Sequence, residues 1–246
     1  MKGSLVIIPT YDERENVSDI IDAVLEINSD VHILIVDDNS PDGTAAIVKE
    51  KIPTANGRLH IMERKGKLGL GTAYIAGFKY GIENSYDYII EMDADFSHNP
   101  KDLPKLYAAC AEGGNHLSIG SRYKNGVNVV NWAMNRVLMS YFASKYVKFI
   151  TGMPLHDATA GFVCYKTELL KAMNLDKIRF IGYAFQIEMK FTSWKMNAKI
   201  MEVPIIFTDR TRGESKMSTK IFKEAFFGVI SLKIRSLFKK PYQIGN

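Results

Sequence analysis

Short apolar runs alternate with helical patterns along the first half of the chain. Residues 5–8 and 33–36 are apolar, and the first run is followed by residues that share one helix face: Val17, Ile20, Ile21, Val24 and Leu25. This alternation predicts βαβ units and a mainly parallel sheet. Further strands are predicted at 59–62, 88–92, 117–119, 162–165 and 200–204, and helices at 72–84, 102–112, 132–150, 185–194 and 219–238. Ligands of such a doubly wound α/β fold bind at the carboxyl edge of the strands.

Two helix ends carry further signals. Ser40, Pro41 and Asp42 are typical of a helix start, with the serine as N-cap and the proline in the first helical position. The last predicted helix, 219–238, has lysines at both ends and places apolar residues mainly on one side: Ile221, Phe222, Ala225, Phe226, Val229, Ile230 and Leu237. Such a helix either packs on its own domain or lies flat on a membrane.

The composition excludes a disordered or fibrous protein. With 246 residues and 46% hydrophobic content, the chain can bury a full core. The basic surplus is concentrated near the C-terminus, which indicates an anionic surface as neighbour: Lys220, Lys223, Lys233, Arg235, Lys239 and Lys240. Cys110 and Cys164 have no metal-finger spacing and predict buried, reduced thiols. We expect neither a signal peptide nor a membrane-spanning run. Tyr74 breaks the dinucleotide-binding pattern that Gly69 and Gly71 begin, and no P-loop motif is present.

The run 88–97, YIIEMDADFS, predicts a strand that ends in two carboxylates. Side chains two residues apart leave a strand on the same side, so Asp93 and Asp95 are expected to lie together. Like charges held that close repel each other unless a cation lies between them. Mg²⁺ and Mn²⁺ prefer such oxygen ligands. The alternative is an ordinary solvated turn at the end of a strand.

Eight segments together are similar to the dolichyl-phosphate mannosyltransferases, a branch of the family 2 glycosyltransferases with the GT-A fold. They are IPTYDERENV at 8–17, VDDNSPDGT at 36–44, KLGLGTAYIAG at 67–77, MDADFSHNPKDLP at 92–104, GSRY at 120–123, DATAGF at 157–162, YAFQIEM at 183–189 and EVPIIFTDRTRGESKM at 202–217. The resemblance covers nearly the whole chain in order. It implies a GT-A fold, a mostly parallel sheet flanked by helices, with amphipathic interface helices and an amphipathic C-terminal helix.

The resemblance also implies roles for individual residues. Residues expected to bind the donor nucleotide are Pro9, Tyr11, Glu13, Val36, Asp38, Asp93, Ala94 and Arg210. Mg²⁺ or Mn²⁺ is expected on Asp93 and Asp95, with Ser97 as a weaker ligand. Residues expected to hold an acceptor phosphate are Arg122, Arg136, Ser140 and Lys216, and the catalytic residues are Asp95, Arg122 and Arg136. A phosphate acceptor is already an anion near neutral pH, so Glu188 is not expected to be a general base.

The implied reaction transfers mannose from GDP-mannose to polyprenyl phosphate with inversion, giving polyprenyl-phosphate β-mannose and GDP. One alternative uses a UDP-sugar, such as a glucosyl donor, and another is a non-catalytic nucleotide-binding module on a membrane. We expect a catalytic domain at 1–218 and a basic interfacial segment at 219–246. The expected location is the cytoplasm, peripherally on the cytoplasmic face of a membrane, reached directly or through a membrane-anchoring partner subunit. Nucleic acid is not an expected partner. The donor base, the polyprenol length, the preferred metal and the oligomeric state stay open.

Overall fold

A seven-stranded sheet runs through the computed structural model, which describes residues 1–182, 184–210, 212 and 219–238. Its strand order is β3-β2-β1-β4-β7-β5-β8, and a small second sheet pairs β6 with β9. The strands are β1 Ser4–Thr10, β2 Val31–Asp37, β3 Leu59–Glu63, β4 Tyr88–Glu91, β5 Leu117–Ser121, β6 Val129–Val130, β7 Val163–Lys166, β8 Ile200–Pro204 and β9 Phe207–Thr208. In the large sheet, β7 runs antiparallel to β4 and β5, and the other pairings are parallel. The predicted mainly parallel sheet is confirmed.

Helices cover both faces of this sheet. They are α1 Arg14–Ile27, α2 Thr44–Lys51, α3 Leu70–Glu83, α4 Leu103–Ala111, α5 Met134–Thr151, α6 Thr167–Ala172, α7 Ala184–Lys195 and α8 Thr219–Phe238. Alternate residues of β1 enter opposite halves of the core: Leu5 and Ile7 pack with α3, α7 and α8, whereas Val6 and Ile8 pack with α1 and α4. Burial on both faces explains why the strands are continuous apolar runs. Cys110 and Cys164 are buried and do not form a disulfide, as predicted.

The predicted start of α2 is wrong. The helix begins at Thr44, after Gly43, whose φ is 89°. Ser40 does not cap it, because its Oγ donates a 2.6 Å hydrogen bond to Asp37 instead. Asp42 serves the helix start in another way, since its Oδ1 accepts from the backbone N–H of Thr44 at 3.0 Å and from the Thr44 hydroxyl at 2.6 Å. The tertiary contact with Asp37 outweighs the local capping signal.

Strand β4 is shorter than predicted. It ends at Glu91, so Asp93 and Asp95 lie in the following turn, where Phe96 has a φ of 60°. Strand alternation is therefore not what places the two carboxylates. The turn brings both of them to the carboxyl edge of the sheet.

Helix α8 has its predicted bounds and packs against α5 and α7. Val229 and Leu232 are buried in the core, whereas Phe227 and Leu237 are exposed. Leu237, which belongs to the predicted apolar side, is 69% exposed, because the helix turns the Val229 and Leu232 face inward. Within the described residues, no helix is both long enough and apolar enough to span a bilayer. The division of the chain at 218 stays a prediction.

Candidate active site

A cavity of about 580 Å³ opens at the carboxyl edge of the sheet, between the turn after β4 and helices α5 and α8. Charged side chains surround one end of it: Asp93, Asp95, Arg122, Arg136, Asp209 and Arg210. Mainly apolar side chains of the two helices form the other end: Leu138, Met139, Phe142, Tyr146, Val147, Phe226 and Val229. The cavity therefore suits a ligand with a charged head and an apolar tail.

The predicted metal ligands lie together at the charged end. Asp95 is 7% exposed, and its Oδ1 accepts from the backbone N–H of Ser97 at 3.0 Å. Asp93 is fixed through its backbone, whose N–H donates to Nδ1 of His98 at 3.1 Å. Ser97 is also buried at the cavity wall. His98 uses its Nδ1 as an acceptor for the backbone, which leaves the carboxylates as the better metal ligands.

The two carboxyl groups differ in proton affinity. Although 40% of its side chain is open, withdrawal from bulk water and then the charge on Asp95 raise the pKa of Asp93 to about 7. Burial opposes ionisation of Asp95 too, but hydrogen bonds from Ser97 and the charge of Arg210 outweigh it and lower the pKa of Asp95. A cation shared by the pair would offset the repulsion from Asp95, which is the second cause of the raised pKa of Asp93.

The residues present fit a divalent cation. In the structure, Nη2 of Arg210 lies 2.7 Å from Oδ2 of Asp95, so this carboxylate already attracts a positive charge. Among the described residues, no group of three or more His, Cys, Asp or Glu side chains is arranged to hold a metal. Two carboxylates would leave most of a Mg²⁺ or Mn²⁺ shell to water and a ligand diphosphate, as is usual for Mg²⁺.

Arg122 is bound by an acidic partner that the sequence analysis did not assign. Its Nε and Nη2 donate to the two carboxylate oxygens of Asp157 at 2.7 and 2.6 Å, and Nη2 also donates to Oγ1 of Thr159 at 2.8 Å. Burial disfavours both charges, but their mutual attraction raises the pKa of Arg122 and lowers that of Asp157. The pair fixes the guanidinium at the cavity wall, so Arg122 does not have to reorient when a ligand binds.

Arg136 is paired as well. Its Nη1 donates to both carboxylate oxygens of Asp209, at 2.7 and 2.8 Å, and the guanidinium lies 4.2 Å from the ring centre of Trp132. Ser140, one helical turn further along α5, also lines the cavity. The structure thus brings Arg122, Arg136 and Ser140 to one cavity, as the resemblance implies. Lys216 lies outside the described residues.

The predicted donor residues lie at the ends of β1 and β2, except Asp93 and Ala94, which follow β4, and Arg210, which follows β9. Asp38 accepts from Nε and Nη2 of Arg64 at 2.6 and 2.7 Å, which is a partner that the sequence analysis missed. Lys67 lies 4.4 Å from the ring centre of Tyr11. Nη1 of Arg210 is 4.0 Å from Glu13. The remaining predicted residues lie in the same region but are less accessible: Pro9 is partly buried, and Val36 and Ala94 are buried. Their roles in nucleotide binding stay predictions.

Buried ionisable side chains contact Gln186 in the cavity wall. Gln186, which lines the cavity, donates from Nε2 to Glu91 at 2.7 Å. Nζ of Lys190 donates to the carbonyl of Ala160 at 2.6 Å and to Oε1 of Gln186 at 3.1 Å. Burial raises the pKa of Glu91 to about 8 and lowers that of Lys190 to about 8. The sequence signal for this network was an ionisable residue in a buried element: Glu91 in strand β4 and Lys190 in helix α7.

Glu188 has a structural role. Its Oε2 accepts from the backbone N–H groups of Arg179 and Phe180 at 2.8 and 2.9 Å. These two bonds fix the chain just before α7 and occupy the carboxylate. The geometry thus agrees with the expectation that Glu188 is not a general base.

Comparison with known proteins identifies relatives over most of the chain. The model of the glycosyl transferase family 2 matches residues 5–173. A polyprenol monophosphomannose synthase from Mycolicibacterium smegmatis is 44% identical over 232 residues, which are 94% of this chain and 87% of that protein. An undecaprenyl-phosphate mannosyltransferase from Micrococcus luteus is 41% identical over 225 residues, covering 92% of this chain and 91% of that protein.

Solved structures agree on the fold. The glucosyl-3-phosphoglycerate synthase of Mycobacterium tuberculosis, in complex with Mn²⁺, UDP and glucosyl-3-phosphoglycerate, superposes with a TM-score of 0.67 at 16% identity. The match covers 94% of this chain and 78% of that chain. The expected GT-A fold is thereby confirmed. The chain belongs to the glycosyl transferase family 2, and the expected resemblance to its polyprenyl-phosphate mannosyltransferases is confirmed.

Proposed function

We propose that the chain transfers mannose from GDP-mannose to polyprenyl phosphate, with inversion, and releases GDP. The observation that carries the proposal is the single cavity with Asp93 and Asp95 at one end, Arg122 and Arg136 beside them, and an apolar wall beyond. The names of the two relatives at 44% and 41% identity support the sugar and the lipid. GDP as the leaving nucleotide rests on the sequence resemblance.

The donor diphosphate is proposed to lie at the carboxylate end. When bound there, Mg²⁺ or Mn²⁺ would be held by Asp95 and Asp93 and would neutralise the charge that develops on the departing GDP. Arg210 lies beside Asp95 and supplies further positive charge. Tyr11 and Asp38 would then hold the nucleoside at the ends of β1 and β2.

The acceptor phosphate is proposed to lie between Arg122, Arg136 and Ser140. A phosphate monoester is already charged near neutral pH, so its oxygen attacks the anomeric carbon without a general base. A new bond from this oxygen to the anomeric carbon forms as the bond to the GDP oxygen breaks, which inverts the configuration. The arginines orient the phosphate for attack from the face opposite to the leaving group.

The apolar wall of the cavity continues to the molecular surface. Leu138, Met139, Phe142 and Phe226 line the cavity and are also 44–62% exposed. Phe149 and Phe227, on the same two helices, are 85% and 67% exposed. We therefore propose that α5 and α8 face a membrane and that the lipid tail extends from the cavity into this membrane. We propose a peripheral location on the cytoplasmic face of that membrane, reached directly or with a membrane-anchoring partner subunit.

A transfer assay tests the proposed reaction. Purified protein is incubated with farnesyl phosphate and radiolabelled GDP-mannose, UDP-glucose or UDP-galactose, with Mg²⁺ or with EDTA. We expect a mannosyl lipid from GDP-mannose, and no product in EDTA. Product from a UDP-sugar alone would establish the alternative donor. Absence of product from every donor, with a nucleotide still bound, would favour the non-catalytic module.

Replacing Arg136 by alanine should weaken binding of farnesyl phosphate about 10- to 100-fold, since a charge-assisted contact contributes about 1.5–3 kcal/mol. Affinity for Mg²⁺-GDP should not fall. Isothermal titration calorimetry measures both. Arg58→Ala is the control, because Arg58 binds backbone carbonyls of Leu25 and Asn28 away from the cavity. An equal loss of GDP binding would place Arg136 on the donor side instead.

Replacing both Phe149 and Phe227 by serine should reduce liposome binding about 10-fold or more, because burying each phenylalanine contributes up to about 1.5–3 kcal/mol. Co-sedimentation with anionic liposomes measures the loss. Met201→Ser, at a 48% exposed position on strand β8, is the control. Loss of sedimentation at high salt alone, with the double variant unaffected, would assign recruitment to the basic C-terminal residues rather than to this apolar face.

A further inference from the structure

Two consecutive residues connect the two halves of the cavity. Asp209 holds Arg136 at 2.7 and 2.8 Å, and Arg210 holds Asp95 at 2.7 Å. The two residues are also joined to each other, because the backbone N–H of Arg210 donates to Oδ1 of Asp209 at 3.1 Å. Each predicted substrate-binding group is thus held by one member of the same dipeptide.

We propose that Asp209 is a positioning residue that withholds Arg136 from anions until a cation occupies Asp95, so that donor binding promotes acceptor binding. The inference rests on the proposed function and adds an order of substrate binding to it. Without a cation, an acceptor phosphate has to displace Asp209 from Arg136. With a cation bound, that competition is relieved.

The first step is a competition for Asp95. A divalent cation bound to Oδ2 of Asp95 would compete with the Arg210 guanidinium for that oxygen, because their positive charges repel each other. Arg210 is 24% exposed and lies against the cavity, so it has room to move towards the donor diphosphate. With a cation held by Asp95, Arg210 would therefore be displaced from that carboxylate oxygen.

The second step passes through the backbone. Movement of Arg210 changes the hydrogen bond from its N–H to Oδ1 of Asp209, the same oxygen that Arg136 contacts. The backbone N–H of Asp209 remains held by the carbonyl of Val130 at 3.0 Å, so its side chain is the part that reorients. This weakens the hold of Asp209 on Arg136.

Arg136 itself stays in position. Its guanidinium lies 4.2 Å from the ring centre of Trp132, a contact that does not depend on Asp209. The Arg136 and Asp209 side chains are 32% and 28% exposed, so water screens the pair and an anion can replace the carboxylate. Release of Asp209 thus leaves the Arg136 guanidinium in place and facing the cavity.

Binding measurements test the coupling without turnover. Farnesyl phosphate is titrated into the full-length protein by calorimetry, once in EDTA and once with saturating Mg²⁺ and GDP. For the wild type we expect affinity at least about 5-fold higher with Mg²⁺ and GDP, within the 5- to 150-fold range of typical couplings. GDP is itself an anion, so simple repulsion between the ligands predicts the opposite sign.

The variant Asp209→Asn should bind farnesyl phosphate in EDTA as tightly as the wild type does with Mg²⁺ and GDP. The ratio of its affinity with Mg²⁺ and GDP to its affinity in EDTA should therefore fall to about 1. The control is Asp176→Asn, which removes the carboxylate of an exposed ion pair with Lys79 and should retain the wild-type ratio. Arg210→Gln is the second variant. Because it removes the contact with Asp95, it should also raise acceptor affinity in EDTA.

Three results overturn the proposal: no coupling in the wild type, a wild-type ratio in Asp209→Asn, or unchanged acceptor affinity of Arg210→Gln in EDTA. The variant Asp209→Asn should bind Mg²⁺-GDP at least as tightly as the wild type, because coupling between two sites is reciprocal, and this binding verifies that the variant is folded. A protein that binds farnesyl phosphate without coupling refutes this inference and leaves the proposed function intact. A protein that binds no farnesyl phosphate in either condition and forms no mannosyl lipid refutes both.

Discussion

Replacing Asp95 by asparagine is expected to lower kcat about 100-fold or more while the fold survives. The substitution keeps the size of the side chain, and the amide oxygen can still accept from the N–H of Ser97, which is now 3.0 Å from Oδ1. It removes the negative charge that is proposed to hold the cation against the donor diphosphate. Removing one preorganised stabiliser of developing charge typically costs about 100- to 1,000-fold in rate.

Initial rates over a Mg²⁺ titration measure this effect, and thermal unfolding monitors the fold. We also expect the Mg²⁺ concentration for half-maximal rate to rise. Asp22→Asn is the control, because Asp22 is an exposed residue that forms an ion pair with Lys51 and does not line the cavity. A near-normal rate with unchanged metal dependence would show that Asp95 is not a ligand.

The sheet was predictable because its strands are buried on both faces. Runs such as 33–36 have no polar position, which is typical of parallel strands under two layers of helices. The place of β7 was not predictable from local pattern. Its residue Cys164 pairs with Ile90 of β4, far away in the sequence, and this inserts an antiparallel strand between β4 and β5. Pairing of distant strands depends on the whole fold.

The helix start at Ser40 shows a different limit. Serine followed by proline has the chemistry of an N-cap, but the Ser40 hydroxyl instead donates a 2.6 Å hydrogen bond to Asp37. Asp37 is itself buried at the end of β2 and also accepts from Thr10 at 2.9 Å. A local signal thus failed where a tertiary hydrogen bond was available.

At the site, several residues that line the cavity were predictable but their partners were not. Arg122 lies in the matched segment GSRY and Arg136 was assigned from the resemblance, whereas the acids that hold them are 35 and 73 residues away. Both acids lie inside segments that matched the family, DATAGF and EVPIIFTDRTRGESKM. A buried arginine requires a counter-charge, so the signal was the need for a partner rather than its position.

Replacing Asp157 by asparagine should cost about 3–5 kcal/mol of unfolding free energy, because it leaves the Arg122 guanidinium buried without its counter-charge. Asp157 is 0% exposed and Arg122 is 7% exposed, so water cannot replace the lost partner. Urea unfolding measures the loss. Asp176→Asn, which affects a well-exposed ion pair, should stay within about 0.5 kcal/mol of the wild type.

The double variant Arg122→Met/Asp157→Asn separates stability from catalysis. Methionine would lie among the rings of Tyr123, Trp132 and Phe207, which now surround the guanidinium at 5.3–5.6 Å. Because no buried charge is left alone, most of the lost stability should return. Mannosyl transfer should not return, since Arg122 is proposed to hold the acceptor phosphate. Recovery of both stability and rate would instead show that Arg122 acts only as the structural partner of Asp157. The acceptor phosphate would then be held by Arg136 without Arg122.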